Sequence, residues 1–90
     1  MIAVKKFNLT RAKVQSIAMP HGAKFLRLNA CGMTIQAWAL VDTRILPEWR
    51  TILIVGDGEP IEADEDKLVH LGTVFAMADA FVWHVFEVIQ

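Results

Sequence analysis

Lys24, Arg27, Arg50, Trp38, Trp49, Trp83 and His84 lie on segments that alternate like β-strands, or at the ends of such segments. Arginine offers paired donors that match the oxygens of a phosphate. Indole faces stack on nucleobases, whatever the base. Plain alternation through Lys24 to Ala30 places Phe25, Arg27 and Asn29 on one side and Leu26, Leu28 and Ala30 on the other. A cleft combining Lys24, Arg27, Arg50, Trp38, Trp83 and His84 would hold a nucleotide-like anion, and these six are the candidate ligand-binding residues. The plainer alternative buries the tryptophans, Trp49 included, in the core and leaves the arginines in water.

Other chemistry has less support. His21, His70 and His84 lack the spacing of a zinc motif, and Cys31 has no nearby partner in sequence. His84 shares a face with Val82 and Phe86 and reads as a half-buried, hydrogen-bonded histidine. Ser16, the only serine, sits mid-strand without the turn that exposes a nucleophile. Cys31 stands beside Gly32 at a turn, but no sequence neighbour would activate its thiol. Glu62-Ala63-Asp64-Glu65-Asp66 is an acidic loop without the frame of a calcium site. Gly56-Asp57-Gly58 follows a strand but lacks the Gly-Lys-Ser/Thr ending of a phosphate loop, and reads as a turn. The expectation is a binding protein rather than an enzyme, with no catalytic residue, metal or cofactor.

The elements that must position these groups are strands. Segments 3–9, 14–19, 24–30, 34–41, 49–55, 70–77 and 81–89 alternate or are rich in β-branched residues, and Gly, Pro and Asp punctuate them. Ala78-Asp79-Ala80 is the expected last turn. Segments three and four read as a hairpin about Cys31-Gly32. Short connections favour antiparallel pairing. The expected fold is all-β, a small sandwich or partly open barrel of about seven strands, with at most one helical turn near 61–68. Several segments, 34–41 and 81–89 among them, are apolar on both faces, so they are expected to be covered twice, and a second subunit is the simplest second cover.

Ninety residues make one domain, 1–90, and 54% of them are hydrophobic, against about 45–50% in ordinary globular chains. That surplus also favours a homo-oligomer. One cysteine, no signal-like apolar start and no apolar run of membrane length lead to the expectation of a soluble cytoplasmic protein without membrane contact. Charge is segregated along the chain. Residues 1–50 hold eight basic side chains and two acidic ones, whereas residues 51–90 hold one basic and eight acidic. Near-cancellation of the two halves argues against general nucleic-acid coating. It leaves a basic strand surface and an acidic loop, 57–66, to be located in the fold.

The motifs Ile17–Lys24 (I-x-M-P-x-G-A-K), Trp38–Asp42 (W-A-L-V-D), Ile54–Ile61 (I-V-G-x-G-x-P-I), Leu71–Val74 (L-G-T-V) and Phe81–Glu87 (F-V-W-H-V-F-E) together resemble a family of small uncharacterised bacteriophage and prophage proteins. The resemblance spans nearly the whole chain, and departure from the family pattern is expected at the Ala76–Ala80 connection. It carries no activity and no site residues. It implies a phage-encoded accessory protein in the host bacterial cytoplasm. Such a protein would be a homo-oligomer that sequesters a nucleotide-derived immune signal or blocks a host protein. The alternatives are an assembly accessory of the phage particle and a small hydrolase with a histidine base.

Overall fold

The computed structural model describes residues 1–32, 34–77 and 80–89. Seven strands follow in chain order: β1 (Ile2–Leu9), β2 (Val14–Pro20), β3 (Lys24–Cys31), β4 (Thr34–Asp42), β5 (Pro47–Gly56), β6 (Leu68–Ala76) and β7 (Phe81–Val88). A single 3-10 turn, Glu65–Lys67, precedes β6. The expected strands all form, with ends within two residues of the sequence reading. The expected turn at Ala78 and Asp79 lies outside the described residues.

The strands make two antiparallel sheets packed as a sandwich, a three-stranded sheet ordered β1-β4-β3 and a four-stranded sheet ordered β2-β5-β7-β6. β3 and β4 pair as the expected hairpin. Hydrophobic side chains from the two inner faces fill the space between the sheets. Leu9, Ile35 and Ala37 meet Ile52, Ile54, Val74 and Val85, and a second cluster joins Met19, Ala23, Ala39 and Val41. Ile17 and Phe25 touch both clusters, so the core is continuous.

Two bulges set which side chains face in. Phe25 pairs with Ala39 while Arg27 pairs with Trp38, so Leu26 is an extra residue in β3. A bulge of this kind re-aims the side chains that follow it. Phe25, Leu28 and Ala30 therefore turn into the core, and Leu26 is left exposed. This corrects the expected face: Phe25 does not accompany Arg27 and Asn29. In β6 the register shifts between His70 and Gly72. Gly72 then faces Leu28 so closely that an added Cβ would lie 2.9 Å from Leu28 Cδ1.

The second cover of β5 comes from the chain itself. Ile52, Leu53, Ile54 and Val55 are all buried, though only Ile52 and Ile54 belong to the inter-sheet core. Leu53 and Val55 point to the outer face of the four-stranded sheet, and the acidic connection 57–66 reaches this face beside Leu53. Ile61 and Ala63 of that connection are half-buried, and Ala63 and Glu62 share a cavity of about 370 Å³ with Lys13, Val14, Thr51, Leu53 and Val88. The acidic segment is thus a strap over an apolar sheet face.

Candidate binding face on the three-stranded sheet

The side chains of Ile35, Ala37, Ala39 and Val41 face the core, so Gln36, Trp38 and Leu40 between them face outward. Strand register then fixes their neighbours. Lys6 and Arg27 stand opposite Trp38 on either side, Asn8 and Asn29 flank Gln36, and Val4 and Lys24 flank Leu40. Adjacent strands lie about 4.8 Å apart, so each trio is a row about 10 Å wide. One row reads cation–indole–cation, the next is all amide, and the third is apolar with a lysine at one end. Trp38 is half-buried, and the depression it forms with Arg27 and Asn29 holds about 400 Å³.

Asp42 is the only carboxylate on this face among the described residues, and its charge is taken up at the sheet's end. Arg44 donates to it from Nε at 3.1 Å, from Nη2 at 2.9 Å and from its backbone N–H at 3.1 Å. The Met1 ammonium lies 3.3 Å away. Hydrogen bonds from Arg44 hold the Asp42 carboxyl far below the usual carboxylate range. The remaining charges on the face, Lys6, Lys24 and Arg27, are exposed cations. The strap and its carboxylates lie on the opposite side of the sandwich.

The six residues singled out from the sequence occupy three places. Lys24, Arg27 and Trp38 share the outer face of the three-stranded sheet. Arg50 and Trp83 point inward from the other sheet, and His84 lies on that sheet's far face. Arg50 is committed internally. Its Nε donates to Glu87 Oε2 at 2.6 Å, its Nη2 reaches Glu87 Oε1, and its Nη1 donates to the Ala23 carbonyl at 2.6 Å. Its guanidinium carbon lies 5.0 Å from the Phe25 ring centre. The fork to Glu87 raises the Arg50 pKa above the usual arginine value. Trp83 packs on the core and stacks on Phe81 at 6.2 Å. Trp49 is 75% exposed at the end of the four-stranded sheet.

His84 belongs to a chain of hydrogen bonds that the sequence did not announce. Its Nε2 lies 2.6 Å from Asp57 Oδ1. Because a carboxylate only accepts, Nε2 carries the proton. His84 Nδ1 lies 3.0 Å from Thr73 Oγ1, which in turn lies 3.1 Å from His70 Nε2. The order carboxylate–imidazole–hydroxyl is that of a nucleophile relay. Its evident mechanical effect is to tie Asp57, the first residue of the strap, to β7. Lys13 holds the strap further on, with Nζ 3.4 Å from the Pro60 carbonyl and 3.9 Å from Glu59 Oε2. Register is what sequence reading lacked here. Thr73 and His84 become neighbours only once β6 and β7 pair with the bulge in place. Lys6, Asn8 and Gln36 were missed for the same reason.

No group of three or more potential metal ligands forms among the described residues. No helix of the structure is long and apolar enough to cross a membrane. The chain has no match among curated proteins and none among solved structures. A family match covers residues 1–90 in full, and the chain belongs to the family described as Domain of unknown function (DUF7352).

Proposed function

We propose that this protein is a non-enzymatic binding module whose ligand is a nucleotide-derived anion, held on the outer face of the three-stranded sheet. One observation carries the reading: Lys6 and Arg27 flank the half-buried indole of Trp38, with Lys24 beside Leu40 on the same face, and the face's one carboxylate among the described residues, Asp42, is already paired. The cations would take the phosphate and the indole the base. Arg50 has no part in this site, because its donors are spent on Glu87 and Ala23. In the phage setting that the motif resemblance implies, such a module sequesters a nucleotide signal of host immunity in the bacterial cytoplasm. As a homo-oligomer, it would meet its ligand with more than one copy of the face. A thermal-shift screen against cyclic nucleotides and ADP-ribose derivatives tests the reading, since a ligand bound only by the folded state raises the melting temperature. The expected result is a shift that Arg27→Ala and Trp38→Ala abolish. No shift with any member of the panel would overturn it.

A hydrolase is the second reading, favoured by the Asp57–His84–Thr73 order. Turnover of a phosphoester or acyl ester that His84→Ala abolishes would establish it. Full retention of such turnover in His84→Ala would dismiss it.

A further inference from the structure

We infer that the occupant of the basic face is a single strand of nucleic acid laid across β1, β4 and β3. This rests on the nucleotide-binding reading above and extends it from one nucleotide to several. Three features of the face favour a strand over an isolated nucleotide.

The first is the row Lys6–Trp38–Arg27. Its cations bracket the indole on both sides, so a base stacked on Trp38 has a positive charge available to the phosphate before it and to the phosphate after it. A mononucleotide has only one of those phosphates. The second is the neighbouring row, Asn8, Gln36 and Asn29, three amides in line across the sheet. Amides both donate and accept, which suits the polar edges of unpaired bases. The third is shape. The face is an open sheet with a depression of about 400 Å³ beside Trp38, not an enclosed pocket that would swallow one small molecule. A duplex hides its base faces from an indole on a flat sheet, so an unpaired strand is the form that the face can read.

Along the sequence the acidic half nearly cancels the basic half, which argued against nucleic acid. In the fold the two are on opposite sides of the sandwich. The strap carboxylates 57–66 are tied down on the four-stranded sheet by Lys13 and His84. They do not share the surface that a strand would occupy.

The test is fluorescence anisotropy with the full chain and a labelled oligo(dT) of about twelve nucleotides. dTMP and a duplex of the same length serve as competitors. The oligonucleotide is expected to bind at least about tenfold more tightly than dTMP, and more tightly than the duplex. Three cations contribute a slope of log K against log salt near −2, and Lys6→Gln reduces its magnitude by about 0.7. Trp38→Ala is expected to weaken binding about tenfold or more, and Trp38→Phe to restore most of it. Circular dichroism confirms that each variant is folded.

Equal affinity for dTMP and the oligonucleotide would overturn the strand inference and leave the nucleotide reading standing. Absence of binding to either, with no shift in the thermal screen, would remove both. Binding of the oligonucleotide that is indifferent to Trp38→Ala and Lys6→Gln would place it elsewhere and overturn the inference. So would equal binding to inorganic polyphosphate.

Discussion

Arg50 and Arg27 are the same residue type two strands apart, and their surroundings divide their roles. Arg50 has its fork filled by Glu87, its remaining amino group on Ala23, and an aromatic ring beneath it. It joins β5 and β7 to the turn that opens β3, so it fastens one sheet to the other. Removing one partner of a pair this enclosed leaves the other charge buried without compensation. Arg50→Ala is expected to destabilise the fold by about 3 kcal/mol, as read from urea denaturation, whereas Arg27→Ala is expected to stay within about 0.5 kcal/mol. Comparable losses in the two variants would contradict this division. From sequence the two arginines were equivalent candidates, because neither motif nor spacing says that Glu87 lies across the sheet from Arg50.

The strands themselves were legible, because period-two patterning and turn residues report local geometry. What alternation could not report was the bulge at Leu26. The run Lys24–Ala30 alternates without a visible fault, yet one extra residue turns Arg27 and Asn29 outward and Phe25 inward. The outer cover of β5 was equally hidden, since the burial of Leu53 and Val55 depends on where residues 57–66 come to rest. The strap is held by exposed contacts, Asp57–His84 and Lys13–Glu59, and pairs of this kind contribute about 1 kcal/mol or less each. Asp57→Asn is therefore expected to speed amide exchange and proteolytic cleavage within 57–66 while leaving global stability nearly unchanged. Unaltered exchange across the strap would show that its apolar contacts at Ile61 and Ala63 suffice without the tether.

Over the whole molecule, the strands of the three-stranded sheet carry Lys5, Lys6, Lys24 and Arg27 against Asp42, and the strap carries Asp57, Glu59, Glu62, Asp64, Glu65 and Asp66. The separation seen along the chain therefore persists between these two groups, because β1, β3 and β4 pair among themselves, whereas Lys13 and Arg50 pair across it with Glu59 and Glu87. Two carboxylates at the sheet ends set the acid response. A hydrogen bond from His21 at 2.7 Å lowers the Glu48 pKa, and Arg44 lowers that of Asp42. Both folded values lie below the unfolded ones, so both groups stabilise the fold above the ordinary carboxylate range and lose that contribution as pH falls. Melting temperature is expected to fall as pH drops below about 5, with the loss beginning at Glu48 and Asp42 yielding last. Glu48→Gln should flatten the upper part of that decline. A melting temperature that rose on acidification through this range would reverse the assigned sign.

The sandwich measures 39 × 30 × 17 Å, with the cations of the three-stranded sheet on one side and the strap carboxylates on the other. It therefore presents opposite charge on its two sides, while its formal net charge is only −1. Net charge and isoelectric point are poor guides to such a body. Near neutral pH in dilute buffer it is expected to be retained by cation-exchange and anion-exchange resins alike, presenting a different broad side to each. Beside any densely charged surface it will not tumble freely but will settle flat, with its orientation chosen by the sign of the field.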